Sequence, residues 1–202
     1  QYKVQLRALL RASAFGDIKI MLPLVTTVDE VREAKALVEE CKRELDAEGV
    51  AYNKDIEVGT MIETPSASLI ADKLARECDF FSIGTNDLIG YTMCADRGND
   101  RVAYLYEVYQ PSVLRSLKFL IGEGNKEKIM VGMCGEAAAD PLLIPVLLSF
   151  GLDEFSVSAP SVLRTRKTIA AWTKAEADEL TARVMELDTA AEVKALLERE
   201  AR

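Results

Sequence analysis

Polar and ionisable side chains follow a short apolar strand in the middle of the chain. Residues 80–97 read FFSIGTNDLIGYTMCADR, which places an amide and a carboxylate, Asn86 and Asp87, soon after the break at Gly84. A guanidinium, that of Arg97, follows ten residues later. Proteins that alternate strands and helices carry their binding groups on the connections that follow buried strands. We therefore predict a functional site on this connection.

A second carboxylate is predicted to lie near the first. Glu63 follows the predicted strand 57–62, and Asp87 follows the next strand, 80–83; both stand in apolar surroundings, where an unpaired charge is costly. Oxygen ligands without histidine or paired thiols suit Mg²⁺ or Mn²⁺, and water and substrate oxygens can take the remaining positions. The alternative is that each carboxylate caps a helix or pairs with a nearby arginine.

Three further side chains could bind an anion. Asn86 can offer its side-chain and backbone N–H groups at a helix start, although it could equally be a turn and cap residue. Arg97 could bring a planar guanidinium to the same anion or form a surface ion pair. Lys19 lies inside a predicted strand, where a lysine usually points into a polar cavity, although an edge strand would also explain it.

Cys134 stands between Met133 and Gly135 at the predicted end of another buried strand. A free cysteine is often only a small apolar core residue. A thiol above a carbanion or enolate could instead act as a proton donor. Both interpretations stay open at this point.

Composition limits the classes of partner and compartment. The 202 residues carry 25 Lys plus Arg against 33 Asp plus Glu, a net charge of -8, which repels nucleic acid and anionic membranes. The chain contains no histidine. Its four cysteines form no CxxC pair, which argues against a zinc site or a disulfide framework. No stretch approaches the roughly 20 apolar residues of a membrane span, so we expect a cytoplasmic protein without membrane insertion or nucleic-acid binding.

The chain alternates predicted strands and helices over its whole length. We expect strands at 18–24, 57–62, 80–83, 128–133 and 154–157. Helical patterns occupy 1–14, 27–49, 66–77, 111–122, 141–150, 161–172, 175–187 and 190–201, with only short helical pieces between 84 and 109. Strands joined by helical crossovers build a parallel sheet.

Three predicted strands end in polar, glycine-flanked sequence, GTMIETP, SIGTNDL and VGMCGEA. In a closed barrel all these ends converge on one face, whereas in an open sheet they spread along an edge. Convergence favours the TIM (β/α)8 barrel, but that fold needs eight strands and roughly 250 residues. We therefore expect a partial α/β barrel of about five strands, followed by C-terminal helices.

Two long segments resemble a known family. Residues 59–100, from GTMIETPSASLIADKL to CADRGND, and residues 131–159, VGMCGEAAADPLLIPVLLSFGLDEFSVSA, are similar to the phosphoenolpyruvate-binding barrel of the phosphoenolpyruvate-protein phosphotransferase family, enzyme I of the bacterial sugar phosphotransferase system. The opening LRALLRASAFG is similar too. The resemblance covers essentially the whole chain, so that residues 1–202 form one domain.

The resemblance implies a site and an activity. Glu63 and Asp87 would hold Mg²⁺, Asn86, Asp87 and Arg97 would bind phosphoenolpyruvate, and Cys134 would protonate the enolpyruvate left after phosphoryl loss. Lys19 falls where some relatives carry a substrate-binding arginine. The parent enzyme passes the phosphoryl group through a phosphohistidine to a phosphocarrier protein for sugar uptake, and phosphoryl transfer of this kind depends on positioning and charge stabilisation.

Departures from the family limit these expectations. The chain is expected to be a C-terminal fragment, because the earlier barrel strands with further arginines and the phosphohistidine domain are missing, so that the fragment alone should not transfer phosphate. Gly90 stands where a glutamine is common. The alternatives are the C-terminal domain of a pyruvate phosphate dikinase or a phosphoenolpyruvate synthase, and a non-catalytic dimerisation or regulatory module. The unpaired edges of a partial barrel favour association, so we expect a homodimer.

Overall fold

The computed structural model describes residues 1–202 and contains one five-stranded parallel sheet. The strands lie side by side in chain order, and each pair of neighbours is parallel. The strands are β1 (Ile20–Leu22), β2 (Val58–Ile62), β3 (Phe80–Gly84), β4 (Met130–Cys134) and β5 (Glu154–Phe155). Sequential order with helical crossovers is the arrangement of successive strands in a (β/α) barrel, and the expected partial barrel is confirmed, with β1 and β5 as its two edges.

Ten α-helices connect and follow the strands. They are α1 (Tyr2–Ala12), α2 (Val28–Glu48), α3 (Pro65–Leu69), α4 (Ala71–Leu74), α5 (Thr85–Met93), α6 (Pro111–Lys126), α7 (Ile144–Phe150), α8 (Val162–Ala170), α9 (Lys174–Val184) and α10 (Ala190–Glu200). Short 3₁₀ turns occupy Ala103–Leu105, Glu136–Ala139 and Ala159–Ser161.

Helix α2 shows how local sequence fixes the element boundaries. The Thr27 hydroxyl accepts the Glu30 N–H at 3.3 Å, and the Glu30 carboxylate accepts the Thr27 N–H at 2.9 Å, which together form a capping box. The helix ends at Gly49, whose φ of 68° is the left-handed conformation that glycine adopts most easily. Both boundaries agree with the prediction from the sequence.

Two predicted helical regions differ from the structure. The predicted helix 66–77 is divided into α3 and α4, because the backbone of Ile70 leaves the helical region (φ −110°, ψ 22°). The region after residue 84, expected to hold only short helical pieces, begins with the regular nine-residue helix α5. Gly90 interrupts the apolar periodicity of α5, which explains why the sequence pattern does not predict a regular helix here.

The two faces of the sheet have different surroundings. Side chains alternate between the faces of a strand, and one face contributes fully buried residues to a core cluster of 42 residues, among them Ile62, Phe81, Ile83, Val131 and Met133. The opposite face carries small and polar residues towards the carboxyl ends of the strands, including Ser82, Gly84 and Cys134. That face and that end of the sheet hold the candidate site.

None of the helices is both long enough and apolar enough to cross a lipid bilayer.

Candidate functional site

Three strand ends meet at the carboxyl edge of the sheet. Gly84, the last residue of β3, is paired with Cys134, the last residue of β4. On the other side of β3, Ile62 is paired with Ile83, so Glu63 stands beside Gly84. With neighbouring strands about 4.8 Å apart, the backbones of Glu63 and Cys134 are separated by about 10 Å across Gly84. The sheet therefore brings a carboxylate and a thiol to the two sides of one glycine.

Gly84 leaves the space that the Glu63 side chain occupies. A Cβ atom on Gly84 would lie 2.8 Å from Glu63 Oε2 and 2.9 Å from Glu63 Cβ. No side chain larger than hydrogen fits at that distance, so the glycine lets the carboxylate fold across the end of β3. The break that the sequence shows at Gly84 is thus required by packing against Glu63.

Glu63 is a buried carboxylate with 4% of its surface exposed. The Leu24 N–H donates to Glu63 Oε1 at 2.7 Å. Burial raises the pKa of the Glu63 carboxyl, the Leu24 hydrogen bond partly opposes this, and the nearby Asp87 carboxylate raises the pKa further. The charged form of Glu63 is therefore held at a cost, and a cation between the two carboxylates would relieve that cost.

The donor set at this edge fits a hard divalent cation. Glu63 and Asp87 are near enough for the charge of Asp87 to raise the pKa of Glu63, and carboxylate oxygens are the ligands that Mg²⁺ prefers. No group of three or more His, Cys, Asp or Glu side chains is arranged to hold a metal ion. The chain thus offers two carboxylates, and Mg²⁺ commonly binds with few protein ligands, its other positions taken by water and substrate oxygens.

Asn86 and Asp87 lie in the first turn of α5, directly after β3. The Glu136 N–H points at Asn86 Oδ1 across a long contact of 3.5 Å. This contact holds the amide oxygen towards the turn that follows β4 and leaves the Asn86 NH₂ group available to a ligand. Backbone N–H groups of a first helical turn are unpaired within the helix and favour anions.

A cavity of about 430 Å³ lies over one face of α5. Its lining includes the three polar residues predicted from the sequence, Asn86, Asp87 and Arg97. Helix α5 ends at Cys94, which has a left-handed backbone (φ 51°, ψ 37°). That conformation turns the chain back over the helix, so that Asp96 and Arg97 line the same cavity as the residues of the first turn.

Cys134 is half-buried at the end of β4. Its Sγ lies 3.5 Å from the Ile83 carbonyl oxygen and 3.8 Å from Ser82 Oγ. The Thr85 hydroxyl donates to the Cys134 carbonyl at 3.0 Å. The thiol therefore lies on the same sheet face as Ser82, beside the start of α5, and is not one of the residues that line the 430 Å³ cavity.

The structure does not bring Lys19 to this cluster. Lys19 precedes β1 and its Nζ forms an ion pair with Glu57, which precedes β2. The same Nζ lies 5.4 Å from the centroid of the Phe80 ring, at the start of β3. Glu57 directly precedes β2 and Glu63 directly follows it, so these two residues are six positions apart, a span of about 20 Å along an extended chain. Lys19 therefore stands at the amino end of the sheet, and we leave it out of the proposed substrate site.

Tyr106 is a member of this region that the sequence did not reveal. Its hydroxyl donates to the Asn86 carbonyl oxygen at 2.7 Å. Burial raises the pKa of Tyr106, and the neighbouring Arg97 partly opposes that shift. Tyr106 lies in an irregular connection with no periodicity, so no signal in the sequence pointed to it.

Comparison with known proteins places these residues in a family. The family model described as "PEP-utilising enzyme, PEP-binding domain" matches residues 1–174. The chain is 52% identical over 198 residues to a phosphoenolpyruvate-protein phosphotransferase of Bacillus sp. (strain S) and 52% identical over 196 residues to that of Bacillus subtilis (strain 168). These matches cover 98% and 97% of the chain but 34% of each relative. The chain thus spans about a third of the length of these relatives.

A solved structure shares the fold at low sequence identity. A citrate lyase from Burkholderia xenovorans LB400 aligns with a TM-score of 0.62 and 17% identity, covering 98% of this chain and 67% of that one. At this identity the likeness concerns the fold alone. It agrees with a barrel-like arrangement of the five parallel strands.

Proposed function

The chain belongs to the family of phosphoenolpyruvate-utilising enzymes, as their phosphoenolpyruvate-binding domain, and we propose that it serves this role in a phosphoenolpyruvate-protein phosphotransferase. One observation carries the proposal. The ends of β2, β3 and β4 hold the carboxylate of Glu63, the first turn of α5 and the thiol of Cys134 at one edge of the sheet. The relatives that match 97–98% of the chain carry that enzyme name.

Substrate binding follows from charge and donor type. The phosphate and carboxylate of phosphoenolpyruvate are anionic, so they need donors that work against the net charge of -8. We assign the Asn86 amide and the Arg97 guanidinium to these anionic groups, since both line the same cavity. Glu63 and Asp87 would hold Mg²⁺, which when bound neutralises charge on the phosphate oxygens.

Cys134 is assigned to proton transfer. Loss of the phosphoryl group from phosphoenolpyruvate leaves the enolate of pyruvate, which must gain a proton at its terminal carbon. The Cys134 thiol would donate that proton, forming the C–H bond of the pyruvate methyl group and leaving a thiolate that takes a proton from water. Cys134 lies at the same sheet edge as the first turn of α5, and the Thr85 hydroxyl fixes its backbone there.

The complete reaction needs groups that this chain lacks. A phosphoryl group that leaves phosphoenolpyruvate in such an enzyme passes to a histidine and then to a phosphocarrier protein, in the cytoplasm. The chain contains no histidine, so it cannot form the phosphohistidine intermediate itself. We therefore propose that residues 1–202 perform substrate binding and enolate protonation, and that phosphoryl transfer requires a histidine on another chain or segment.

The proposal is tested by the exchange of pyruvate methyl protons. In D₂O with Mg²⁺, the Cys134 thiolate should remove a methyl proton and return deuterium, so the ¹H methyl signal of pyruvate should decay in the presence of the protein. Cys134→Ala should lower the exchange rate about 100-fold or more, the size of a general acid–base contribution, while phosphoenolpyruvate still binds. Cys41→Ala removes a buried thiol in α2 and serves as the matched control.

Two outcomes would contradict this proposal. A wild-type chain that neither binds phosphoenolpyruvate in calorimetry nor exchanges the methyl protons would refute the substrate assignment. A Cys134→Ala variant that exchanges protons as fast as the wild type would refute the role of the thiol alone.

We also propose a homodimer. Strands β1 and β5 each have one neighbouring strand, so each presents an unpaired edge, and such edges favour association. Exposed apolar side chains, among them Phe15, Leu24 and Leu163, add to this tendency. Sedimentation velocity should show a dimer that persists at micromolar concentration; a monomer throughout the concentration range would contradict it.

A further inference from the structure

Tyr106 is hydrogen-bonded to the helical turn that carries Asn86, a residue of the proposed anion site. It lies in the connection between α5 and α6, right after the 3₁₀ turn Ala103–Leu105. Its hydroxyl donates to the carbonyl oxygen of Asn86 at 2.7 Å. Asn86 and Arg97 line the same cavity. Tyr106 is therefore hydrogen-bonded to the backbone of one of the two residues that we assign to the anionic groups of the substrate.

The ring of Tyr106 reaches Asn86 by packing along α5. Asn86 and Gly90 are four residues apart and thus lie on the same face of the helix. A Cβ on Gly90 would be 3.7 Å from Tyr106 Cε2 and 3.4 Å from the Ala95 carbonyl oxygen. The site has room for little more than a methyl group. Gly90 therefore lets the ring lie against the helix, with its hydroxyl one turn closer to the strand end.

The hydrogen bond acts on the first turn of α5. The peptide group that carries the Asn86 carbonyl also carries the N–H of Asp87, so a bond to that carbonyl restrains the backbone of both residues. On its other side, Asn86 is held only by the long contact of its Oδ1 with the Glu136 N–H at 3.5 Å. The bond from Tyr106 is thus the shorter of these two contacts between Asn86 and more distant segments.

We propose that Tyr106 is the positioning residue of the anion site, holding the Asn86 turn in place at one side of the cavity. This inference rests on the proposed function, since it assigns a role towards the same substrate. Tyr106 acts through its neighbours and is not among the residues that line the cavity. The Tyr106 hydrogen bond ties the Asn86 side of that cavity to the connection that precedes α6.

Tyr106→Phe tests the proposal, because it deletes one oxygen and keeps the ring against Gly90. With Mg²⁺ present, calorimetry should show phosphoenolpyruvate affinity lowered about three- to tenfold, the range that one net hydrogen bond supplies. Tyr104→Phe is the matched control, since Tyr104 lies two residues away with 72% of its surface exposed. The affinity and urea midpoint of Tyr104→Phe should stay close to those of the wild type, and Tyr106→Phe should remain folded, with a urea midpoint that is only modestly lowered by the lost hydrogen bond.

A spectroscopic measurement separates positioning from general stabilisation. In ¹⁵N–¹H spectra without substrate, Tyr106→Phe should shift and broaden the signals of the Asn86 and Asp87 backbone amides, and Tyr104→Phe should leave them unchanged. Unaltered signals together with wild-type affinity in Tyr106→Phe would overturn the inference.

The failure of the proposed function would be recognised separately. If the wild-type chain binds no phosphoenolpyruvate, the substrate assignment fails, and the spectra alone decide the role of Tyr106. Perturbed Asn86 and Asp87 amide signals in Tyr106→Phe would then support a positioning role for whichever anion the cavity takes, and unperturbed signals would overturn it.

Discussion

Glu63→Gln is expected to lower the affinity for phosphoenolpyruvate in the presence of Mg²⁺ about 100-fold or more, while leaving the fold at least as stable as the wild type. Removing groups that merely support a metal site typically costs 10- to 100-fold, and loss of a carboxylate ligand should exceed that range. Glutamine keeps the shape and an acceptor oxygen for the Leu24 N–H, which donates to Glu63 Oε1 at 2.7 Å in the wild type. The variant therefore removes the charge and little else.

The stability part of this prediction depends on pH. The pKa of Glu63 is raised above 4.5 in the folded chain, chiefly by burial and also by Asp87. Between the unfolded-state pKa near 4.5 and the higher folded-state pKa, the folded chain binds more protons than the unfolded chain. The free energy of unfolding therefore falls as pH rises through this range. The glutamine in Glu63→Gln does not titrate, so the free energy of unfolding of this variant should not show the decline that comes from Glu63. Urea unfolding of both proteins across this pH range, without metal, measures the difference.

Glu57→Gln is the matched control for Glu63→Gln. Glu57 directly precedes β2, at the opposite end of that strand from Glu63, and forms an ion pair with Lys19. Its replacement should leave phosphoenolpyruvate affinity unchanged. Wild-type, Mg²⁺-dependent affinity in Glu63→Gln would contradict the assignment of Glu63 as a metal ligand.

Gly135→Ala is expected to lower the free energy of unfolding by about 3 kcal/mol or more. Gly135 has φ +90° and ψ −178°, a conformation that is essentially restricted to glycine and that costs other residues about 1–3 kcal/mol. A Cβ atom at this position would also lie 2.4 Å from Thr85 Oγ1 and 3.2 Å from Asn86 Oδ1. The first contact is a steric overlap, so the start of α5 must move away from the end of β4.

The same displacement should abolish substrate binding. Thr85 donates a hydrogen bond to the Cys134 carbonyl, and the Asn86 amide is proposed to bind an anionic group of the substrate, so both sides of the site would shift. Gly122→Ala is the control, because a Cβ there meets nothing within 4 Å and the residue lies inside α6. It should stabilise the protein by about 0.5–1 kcal/mol. Equal urea midpoints for Gly135→Ala and the wild type would contradict the packing described here.

Much of the scaffold could be predicted from local patterns. The apolar runs of β2, β3 and β4 and the capping signals of α2 are properties of short segments, and the structure confirms them. The sequence predicts only short helical pieces where the structure has α5, because TNDLIGYTM lacks apolar periodicity. The helix also ends at Cys94, a residue other than glycine that adopts a left-handed backbone conformation. Such an ending is set by the packing of the returning chain and has no local signal.

The site was less accessible to prediction than the scaffold. The grouping of Glu63 with Asp87 follows from the rule that parallel strands end at a common edge, which sequence order alone supplies. Sequence reasoning does not find Tyr106, since its role depends on a contact with a residue twenty positions earlier, across the end of α5 and an irregular connection. Lys19 illustrates the opposite case. The sequence pattern predicts Lys19 inside the strand 18–24, but β1 begins at Ile20, so Lys19 precedes the strand and lies at its amino end.

We propose that one edge of the sheet holds a divalent cation and an enol phosphate between side chains from separate strand ends. Crystals of the protein soaked with Mn²⁺ and phosphoenolpyruvate, measured at the manganese absorption edge, test it directly. We predict one anomalous peak within about 2.3 Å of carboxylate oxygens from both Glu63 and Asp87, with the phosphate contacting Asn86 and Arg97. An ion that contacts neither carboxylate, or a phosphate bound elsewhere, would contradict the account.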